Sequence, residues 1–148
     1  MIWTPRVTVA AVIERDGRFL LVEEETASGL AINQPAGHLD EHESLLAGAA
    51  RETLEETACT FRPEFLVGVY LWQSQEKELT YLRFAFGGTL LGHDPARALD
   101  TGIVRTLWLT PEELAAQAHR HRSPLVQRCV DDYRAGRRHS LDLLHHVA

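Results

Sequence analysis

Three glutamates, Glu52, Glu55 and Glu56, stand at i, i+3 and i+4, the spacing that places side chains on one face of a helix. Like charges at this spacing destabilise a helix by about 0.2–0.5 kcal/mol per pair. Carboxylates that converge on a rigid element suit Mg²⁺ or Mn²⁺, hard cations that also take phosphate oxygens as ligands. For the bare pattern a solvated acidic face is the commoner explanation, and the surrounding residues decide between the two.

The helix that carries these glutamates is predicted over residues 44–57, where leucine, alanine and threonine recur near i, i+3 and i+4. This amphipathic pattern predicts that the apolar side packs on a sheet and that the glutamates project from the opposite side. The preceding stretch, TASGLAINQPAGHLDEHE, is predicted to be rich in loops, with Ser28-Gly29 and Pro35-Ala36-Gly37 as turn signals.

The rest of the chain alternates strands with closing helices. RVTVAAVIERDGRFLLVEEE predicts an antiparallel hairpin around Asp16-Gly17, and FLVGVYLWQ, LTYLRFAFGGTLL and IVRTLWLT predict further strands. Thr110-Pro111 and Ser123-Pro124 predict two helix starts, the second helix ending at Gly136. Because no linker separates these elements, we expect a single domain over residues 1–148, with a mixed sheet covered by helices on two faces.

Composition and charge describe a globular protein, with 45% hydrophobic and 24% charged residues. The net charge of -6 argues against a sequence-independent nucleic-acid binder, which needs a basic surface. Residues 1–60 hold eleven acids and four bases, whereas residues 119–148 hold six arginines and three aspartates. A metal-binding acidic patch and a phosphate-binding basic patch would explain this asymmetry, and so would arginines along exposed helix faces.

Cysteine content and the absence of apolar segments bear on location. Cys59 and Cys129 are the only cysteines, too few for a disulfide framework, and they predict a reducing, cytoplasmic compartment. The N-terminal residues lack the basic, apolar and cleavage regions of a signal peptide. No window approaches about eighteen uninterrupted apolar residues, so no membrane span is expected.

The three glutamates belong to a longer pattern of six residues: Gly37, Glu43, Arg51, Glu52, Glu55 and Glu56. Five residues separate the glycine from the first glutamate, and seven separate that glutamate from the arginine. If each residue type occurs at about one in fifteen to twenty positions, six matches at fixed spacing arise by chance about once in tens of millions of sequence windows. The pattern resembles the signature of the Nudix hydrolases. This resemblance implies an α/β/α sandwich with a mixed sheet, and a metal-dependent enzyme in which water attacks phosphorus in a phosphoanhydride.

The resemblance also implies roles for individual residues. Mg²⁺ or Mn²⁺ would be held by Gly37, through its backbone carbonyl, and by Glu52, Glu55 and Glu56. Arg51 is expected to orient Glu43 or Glu52 in a charge-assisted pair. The general base is Glu52 by default, or a carboxylate on a later loop, for which the candidates are Glu76, Glu78 and Asp100. Glu76 and Glu78 also fit a solvated loop tip, and Asp100 fits a turn.

Three positions depart from the family signature, and all three concern helix packing or termination. Thr53 replaces an aliphatic residue, so its hydroxyl needs a partner such as the backbone carbonyl one turn back. Ala58 replaces a glycine, at a cost of about 1 kcal/mol if the residue is left-handed. Cys59 replaces an aliphatic residue and can serve as a small hydrophobe. None of the three removes a candidate metal ligand.

Stretches outside the signature, among them NQPAGHLD and RSPLV, resemble a branch of bacterial phosphatases within the family. That resemblance implies release of inorganic phosphate from nucleoside di- and triphosphates, and from thiamine diphosphate and its hydroxymethylpyrimidine diphosphate precursor. Two alternatives stay open: a pyrophosphohydrolase of ADP-ribose, dinucleotides or oxidised nucleotides, and a non-catalytic ligand sensor. The sequence also leaves open whether the chain is a monomer or a homodimer.

Candidate substrate contacts follow from residue type and place. Arg83 is a charge among apolar strand neighbours, which fits either a cleft with a phosphate or an edge strand whose arginine head reaches water. Arg122 precedes a helix start that favours an anion, and Trp72 could stack on a pyrimidine ring. Gln34 and His38 lie on either side of Gly37 in the sequence and could also contact substrate. The candidates for substrate binding are therefore Gln34, His38, Trp72, Arg83 and Arg122.

Overall fold

The computed structural model describes all 148 residues, as eight strands in two sheets and three α-helices. The first sheet has the strand order β5-β1-β7-β6, from β1 (Arg6–Ala11), β5 (Ala36–His38), β6 (Cys59–Ser74) and β7 (Leu79–His93). β1 is parallel to β7 and antiparallel to β5, whereas β6 and β7 form a long antiparallel pair. The predicted mixed sheet is therefore confirmed.

The second sheet is antiparallel and is built around one central strand. Its members are β2 (Glu14–Arg15), β3 (Arg18–Thr26), β4 (Gly29–Asn33) and β8 (Ile103–Leu109). β3 pairs with all three others. The strand predicted in IVRTLWLT is β8, which pairs with β3 from Phe19 to Glu24.

The predicted N-terminal hairpin is correct only around its turn. Asp16 and Gly17 both have positive φ, as a tight two-residue hairpin turn requires, and they join β2 to β3. β1, however, pairs with β7 in the other sheet. The Val12 N–H donates to the Phe86 carbonyl, whereas the Ile13 carbonyl accepts from the Leu20 N–H. The chain therefore passes from one sheet to the other between Val12 and Ile13, within one continuous apolar run.

The stretch TASGLAINQPAGHLDEHE, predicted to be rich in loops, contains two strands that the sequence analysis did not predict, β4 and β5. β4 closes a hairpin with β3, and Thr26 and Gly29 form its last pair. β5 pairs with β1 through Ala36, Gly37 and His38. Both strands are short and rich in turn residues, so their pairing depends on neighbouring strands that are distant in sequence.

All three predicted helices are present. Helix α1 (Leu45–Thr57) begins after Ser44, whose side chain accepts from the Ala47 N–H. Helix α2 (Pro111–Ala115) follows Thr110, which forms a reciprocal capping box with Glu113. Helix α3 (Leu125–Arg134) begins slightly later than predicted, with Pro124 at the N-cap and the Ser123 hydroxyl accepting from the Leu125 N–H. Gly136, with φ of 83°, follows its end.

Alternation along β1 sends side chains to two separate cores. Val9 and Ala11 belong to a cluster that includes Ala49 of α1, whereas Ala10 and Val12 belong to a cluster that includes Val126 of α3. Helices therefore cover the first sheet on both faces, and the expected α/β/α sandwich is confirmed. No helix is both long enough and apolar enough to span a membrane.

Candidate active site

The end of α1 explains how the chain accommodates its departures from the family signature. Ala58 is left-handed, with φ of 60° and ψ of 20°, and its N–H donates to the Leu54 carbonyl. Alanine pays about 1 kcal/mol relative to glycine in this conformation. The Thr53 hydroxyl donates to the Ala49 carbonyl at 2.8 Å, the partner expected from the sequence. Cys59 is buried in the core cluster under α1, as expected of a small hydrophobe.

The glutamates do not lie opposite the buried side of α1, which corrects the prediction from amphipathicity. Glu52 and Glu56 are each only 8% exposed, and the buried side of the helix also includes Ala49 and Thr53. Glu55 lies further out, at the edge of this side. Burying two carboxylates one turn apart is costly unless they are paired or hydrogen-bonded, so their partners matter.

Arg51 is the main partner of the acidic residues. Its Nε donates to Glu43 Oε2 at 2.7 Å and its Nη2 to Glu43 Oε1 at 3.0 Å. Its Nη1 donates to Glu52 Oε1 at 2.8 Å and to Glu55 Oε1 at 3.1 Å. Nη2 also donates to the His38 carbonyl, which ties α1 to β5. One guanidinium therefore holds three glutamates in fixed positions.

Gly37 lies directly against the carboxylate of Glu52. A Cβ built on Gly37 would lie 2.3 Å from Glu52 Oε1, which no real side chain tolerates. The neighbouring Ala36 N–H donates to Glu56 Oε1 at 3.0 Å. The backbone of β5 and the carboxylates of α1 therefore meet at van der Waals or hydrogen-bond distance, which only glycine at position 37 allows.

The local environment holds the pKa values of two glutamates above their ordinary range. Burial raises the pKa of Glu52 in spite of the hydrogen bond from Arg51. Burial raises the pKa of Glu56 to about 8, and the nearby charges of Glu52, Glu24 and Asp100 add to the shift, against the lowering effect of the Ala36 N–H. Ionising these two buried carboxyl groups is therefore unfavourable in the metal-free site, and a bound cation would stabilise their ionised forms.

The donor atoms fit a divalent cation, although no three His, Cys, Asp or Glu side chains are arranged closely enough to form a finished metal cluster. The hydrogen bonds to Glu52 and Glu56 use Oε1 in both residues. No protein group donates a hydrogen bond to either Oε2 atom. Because every fully buried side-chain oxygen has a hydrogen-bond partner, both Oε2 atoms must be accessible to solvent. Accessible, partly uncompensated carboxylate oxygens are the ligands that Mg²⁺ and Mn²⁺ prefer.

Of the later carboxylates considered as general base, Asp100 lies nearest to the glutamates. Its backbone N–H donates to the Glu55 carbonyl at 2.9 Å, and its charge raises the pKa values of Glu52 and Glu56. Glu76 lines a neighbouring pocket from the β6–β7 turn. Glu78 is an exposed turn residue with positive φ and does not line that pocket.

This pocket, a cavity of about 260 Å³, opens beside the glutamates. Ala36 and Gly37 form the wall that it shares with the acidic site. Four of the five predicted substrate contacts line it: His38, Trp72, Arg83 and Arg122. Gly37 therefore contacts the acidic helix and also lines a pocket that contains two arginines, Arg83 and Arg122.

Arg83 is the buried cation of the pocket. It is only 5% exposed, and no carboxylate lies within ion-pair distance of its guanidinium. Its Nη1 donates to Gln34 Oε1 at 2.9 Å and its Nη2 to Asn33 Oδ1 at 3.1 Å. Gln34 is 1% exposed and also donates from Nε2 to the Val126 carbonyl. The prediction that Gln34 contacts substrate is therefore corrected, because its side chain is enclosed and both of its ends are engaged.

The mouth of the pocket is aromatic and mixed in charge. Trp72 and Tyr81 stack at 5.6 Å between ring centroids, with 20° between their planes. Arg122 Nε lies 4.0 Å from Glu24 Oε1. His38 also lines the pocket, and partial desolvation of its imidazole together with the nearby charge of Arg6 lowers its pKa.

Sequence reasoning missed several residues of this pocket, namely Asn33, Glu24, Lys77 and Tyr81. Asn33 ends β4, which lies in the stretch predicted to be rich in loops, and Glu24 is one of three consecutive glutamates with no distinguishing signal. Tyr81 lies in a predicted strand, but its pairing with Trp72 depends on the register between β6 and β7, which the sequence analysis did not predict.

Comparison with known proteins agrees with this geometry. The family model for the NUDIX domain matches residues 4–129. The chain belongs to the Nudix hydrolase family, whose enzymes hydrolyse phosphoanhydride bonds.

Among its relatives, the phosphatase NudJ of Escherichia coli K12 is 40% identical over 141 residues, 95% of this chain and 90% of the relative. A NUDIX hydrolase from Nitrosomonas europaea superposes with a TM-score of 0.95 at 49% identity, covering 97% of this chain and 98% of that chain. The NUDIX domain of Shewanella oneidensis NrtR, complexed with ADP ribose, shares the fold at 18% identity and a TM-score of 0.71, covering 91% of this chain and 90% of that chain.

Proposed function

We propose that this protein is a divalent-metal-dependent phosphohydrolase that releases orthophosphate from nucleoside di- and triphosphates and from thiamine-type diphosphates. The observation that carries the proposal is the position of Gly37, which contacts Glu52 and also lines the pocket that holds Arg83. The terminal phosphate of the substrate is proposed to bind at the part of the pocket that Gly37 lines, next to the acidic site, with the buried guanidinium of Arg83 in the same pocket. The similarity to the phosphatase NudJ supports release of orthophosphate as the product.

The acidic side would hold the metal. Glu52, Glu55, Glu56 and the Gly37 carbonyl are the proposed ligands of Mg²⁺ or Mn²⁺. When bound, the cation would supply positive charge that offsets the charge on the phosphate oxygens. Arg51 keeps the glutamates in place through its hydrogen bonds to Glu43, Glu52 and Glu55.

Glu52 is the proposed general base, and Asp100 is the alternative. A base works best when its pKa is close to the operating pH, and burial raises the pKa of Glu52 toward that range. In the proposed reaction the water oxygen bonds to the terminal phosphorus as its proton passes to the base. The bond from that phosphorus to the bridging oxygen breaks, and the shortened phosphate ester leaves with the bond's electron pair.

The basic side would hold the substrate. Arg83 and Arg122 are proposed to contact phosphate, Trp72 to stack on the base or pyrimidine ring, and His38 to line the path between them. Tyr81, which also lines the pocket, stacks on Trp72. At about 260 Å³ the cavity is below the usual range of about 300–1,000 Å³ for ligand pockets, which favours one ring with its phosphates over a dinucleotide.

Product analysis tests this proposal against its rivals. Thiamine diphosphate, nucleoside di- and triphosphates, ADP-ribose and diadenosine polyphosphates would each be incubated with and without Mg²⁺. Orthophosphate as the main new product from the first two groups is expected. Pyrophosphate, or AMP from ADP-ribose, would instead identify a pyrophosphohydrolase. Binding of these compounds without turnover of any would identify a ligand sensor.

Other expectations from the sequence stay predictions about the whole protein. These are one domain over residues 1–148, a cytoplasmic location, a monomer or homodimer, and no nucleic-acid or membrane partner. Both cysteines are free and buried, which is compatible with a reducing compartment.

A further inference from the structure

Arg83 differs from other arginines of the chain in the chemistry of its partners. Outside the acidic site, each of the two buried carboxylates pairs with two arginines: Glu23 with Arg105 and Arg120, and Asp132 with Arg128 and Arg137. Arg83 instead donates to neutral groups: the side-chain amides of Asn33 and Gln34, and the Cys129 sulfur at 3.8 Å. These amides fix the direction of the guanidinium without neutralising its charge.

The Gln34 amide has a defined orientation. Its Nε2 donates to the Val126 carbonyl at 2.8 Å, and a carbonyl can only accept, so Oε1 must point to Arg83. Gln34 does not line the pocket, whereas Asn33 does. Any effect of Gln34 on a ligand must therefore act through Arg83.

We propose that Asn33 and Gln34 are positioning residues that hold Arg83 at the pocket wall with its positive charge uncompensated, so that the pocket binds a phosphate dianion. A buried cation gains most from an anionic ligand when no carboxylate is already paired with it. The inference rests on the proposed function only for the identity of the substrate that carries this phosphate.

Isosteric changes from amide to carboxylate test the role of charge. Asn33→Asp and Gln34→Glu each place a negative charge beside the guanidinium with little change in shape. Gln117→Glu is the matched control, because Gln117 Oε1 also accepts from an arginine, Arg120, and lies outside the pocket. All variants change net charge equally.

The primary readout is a titration of the labelled full chain with inorganic phosphate, followed by NMR without divalent metal. We expect phosphate binding to weaken about tenfold or more in Asn33→Asp and Gln34→Glu, and to be unchanged in Gln117→Glu. Gln34→Glu also faces the Val126 carbonyl, so the spectrum must first show a folded chain. If it does not, Asn33→Asp alone decides.

Turnover provides an independent readout. KM for the best substrate is expected to rise by the same factor as the phosphate dissociation constant, with kcat changed by less than about threefold, because the substitutions weaken ground-state and transition-state binding alike. Equal phosphate binding in wild type and Asn33→Asp would overturn the inference. Altered phosphate binding in a protein that hydrolyses no tested substrate would uphold it while the proposed function fails.

Discussion

The carboxylate of Glu52 lies against the Cα of Gly37, so that a Cβ added there would lie 2.3 Å from Oε1 and 2.4 Å from Oε2. Any side chain at position 37 must displace either β5 or the carboxylate. This contact joins the strand that lines the pocket to the helix that carries the glutamates. Both halves of the proposed site therefore depend on one glycine.

Gly37→Ala is expected to lower kcat/KM at least about 100-fold, because displacing a group by about 1 Å at a reaction centre can cost that much. The chain should still fold, since β5 is a short strand at one edge of its sheet. Steady-state kinetics with a thermal melt would check both statements. Gly92→Ala is the control, because a Cβ there meets nothing within 4 Å. Near-wild-type kinetics in Gly37→Ala would show that this contact does not matter.

Arg51→Lys tests the orientation of the glutamates. Lysine keeps the charge but cannot donate to Glu43 through two nitrogens while also reaching Glu52 and Glu55. We expect activity to fall by about 10–100-fold, a range typical for loss of residues that orient metal ligands. Arg62→Lys, at an exposed pair with Glu64, should change activity little. Equal activity in the two variants would show that Arg51 does not orient the glutamates for catalysis.

The raised pKa of Glu56 predicts how the stability of the metal-free protein depends on pH. Below pH 4.5 both the folded and the unfolded states hold the proton, whereas between 4.5 and about 8 only the folded state does. Stability should therefore fall as pH rises across this window, by at most about 1.4 kcal/mol per pH unit from this group. Glu56→Gln should remove that part of the slope.

Thermal melts from pH 5 to 9 without metal would measure this effect, as the difference between wild type and Glu56→Gln. Glu41→Gln, at an exposed position, is the control for loss of one charge. Added Mg²⁺ should raise the wild-type melting temperature more at pH 9 than at pH 6, because protons compete with the cation. A constant difference between wild type and Glu56→Gln at all pH values would contradict the assignment.

The choice between Glu52 and Asp100 as base can be made by comparing Glu52→Gln with Asp100→Asn. If Glu52 is the base, Glu52→Gln should lower kcat by at least about 100-fold, whereas Asp100→Asn should keep the acid limb of the kcat–pH profile. Loss of that limb in Asp100→Asn, with Glu52→Gln still active, would transfer the role to Asp100.

The parts of the fold that the sequence predicted are those governed by local signals. The helix over residues 44–57, the helix start at Thr110-Pro111 and the strands in FLVGVYLWQ and LTYLRFAFGGTLL all follow from spacing, cap residues and apolar runs. The pairing of β1 with β7 was not predictable in this way, because the apolar run through Val12 and Ile13 gives no sign that it changes sheets.

In the candidate site too, local sequence signals predicted some features, whereas contacts between distant parts of the chain determine the others. The signature residues Glu52, Glu55 and Glu56 are neighbours along one helix, so spacing alone places them together. The burial of Glu52 and Glu56 was not expected, because it arises from β5 packing against α1 through Gly37. Gln34 was read as a substrate contact because it is near Gly37 in sequence, but the strand register turns it toward Arg83 and α3.

The most direct test of the central claim is hydrolysis of ADP in water enriched in oxygen-18, with and without Mg²⁺, followed by mass analysis of both products. Attack of water at the terminal phosphorus predicts that the label enters orthophosphate and not AMP, and that no product forms without the metal. Label in AMP, or equal turnover in the absence of any divalent cation, would contradict the account.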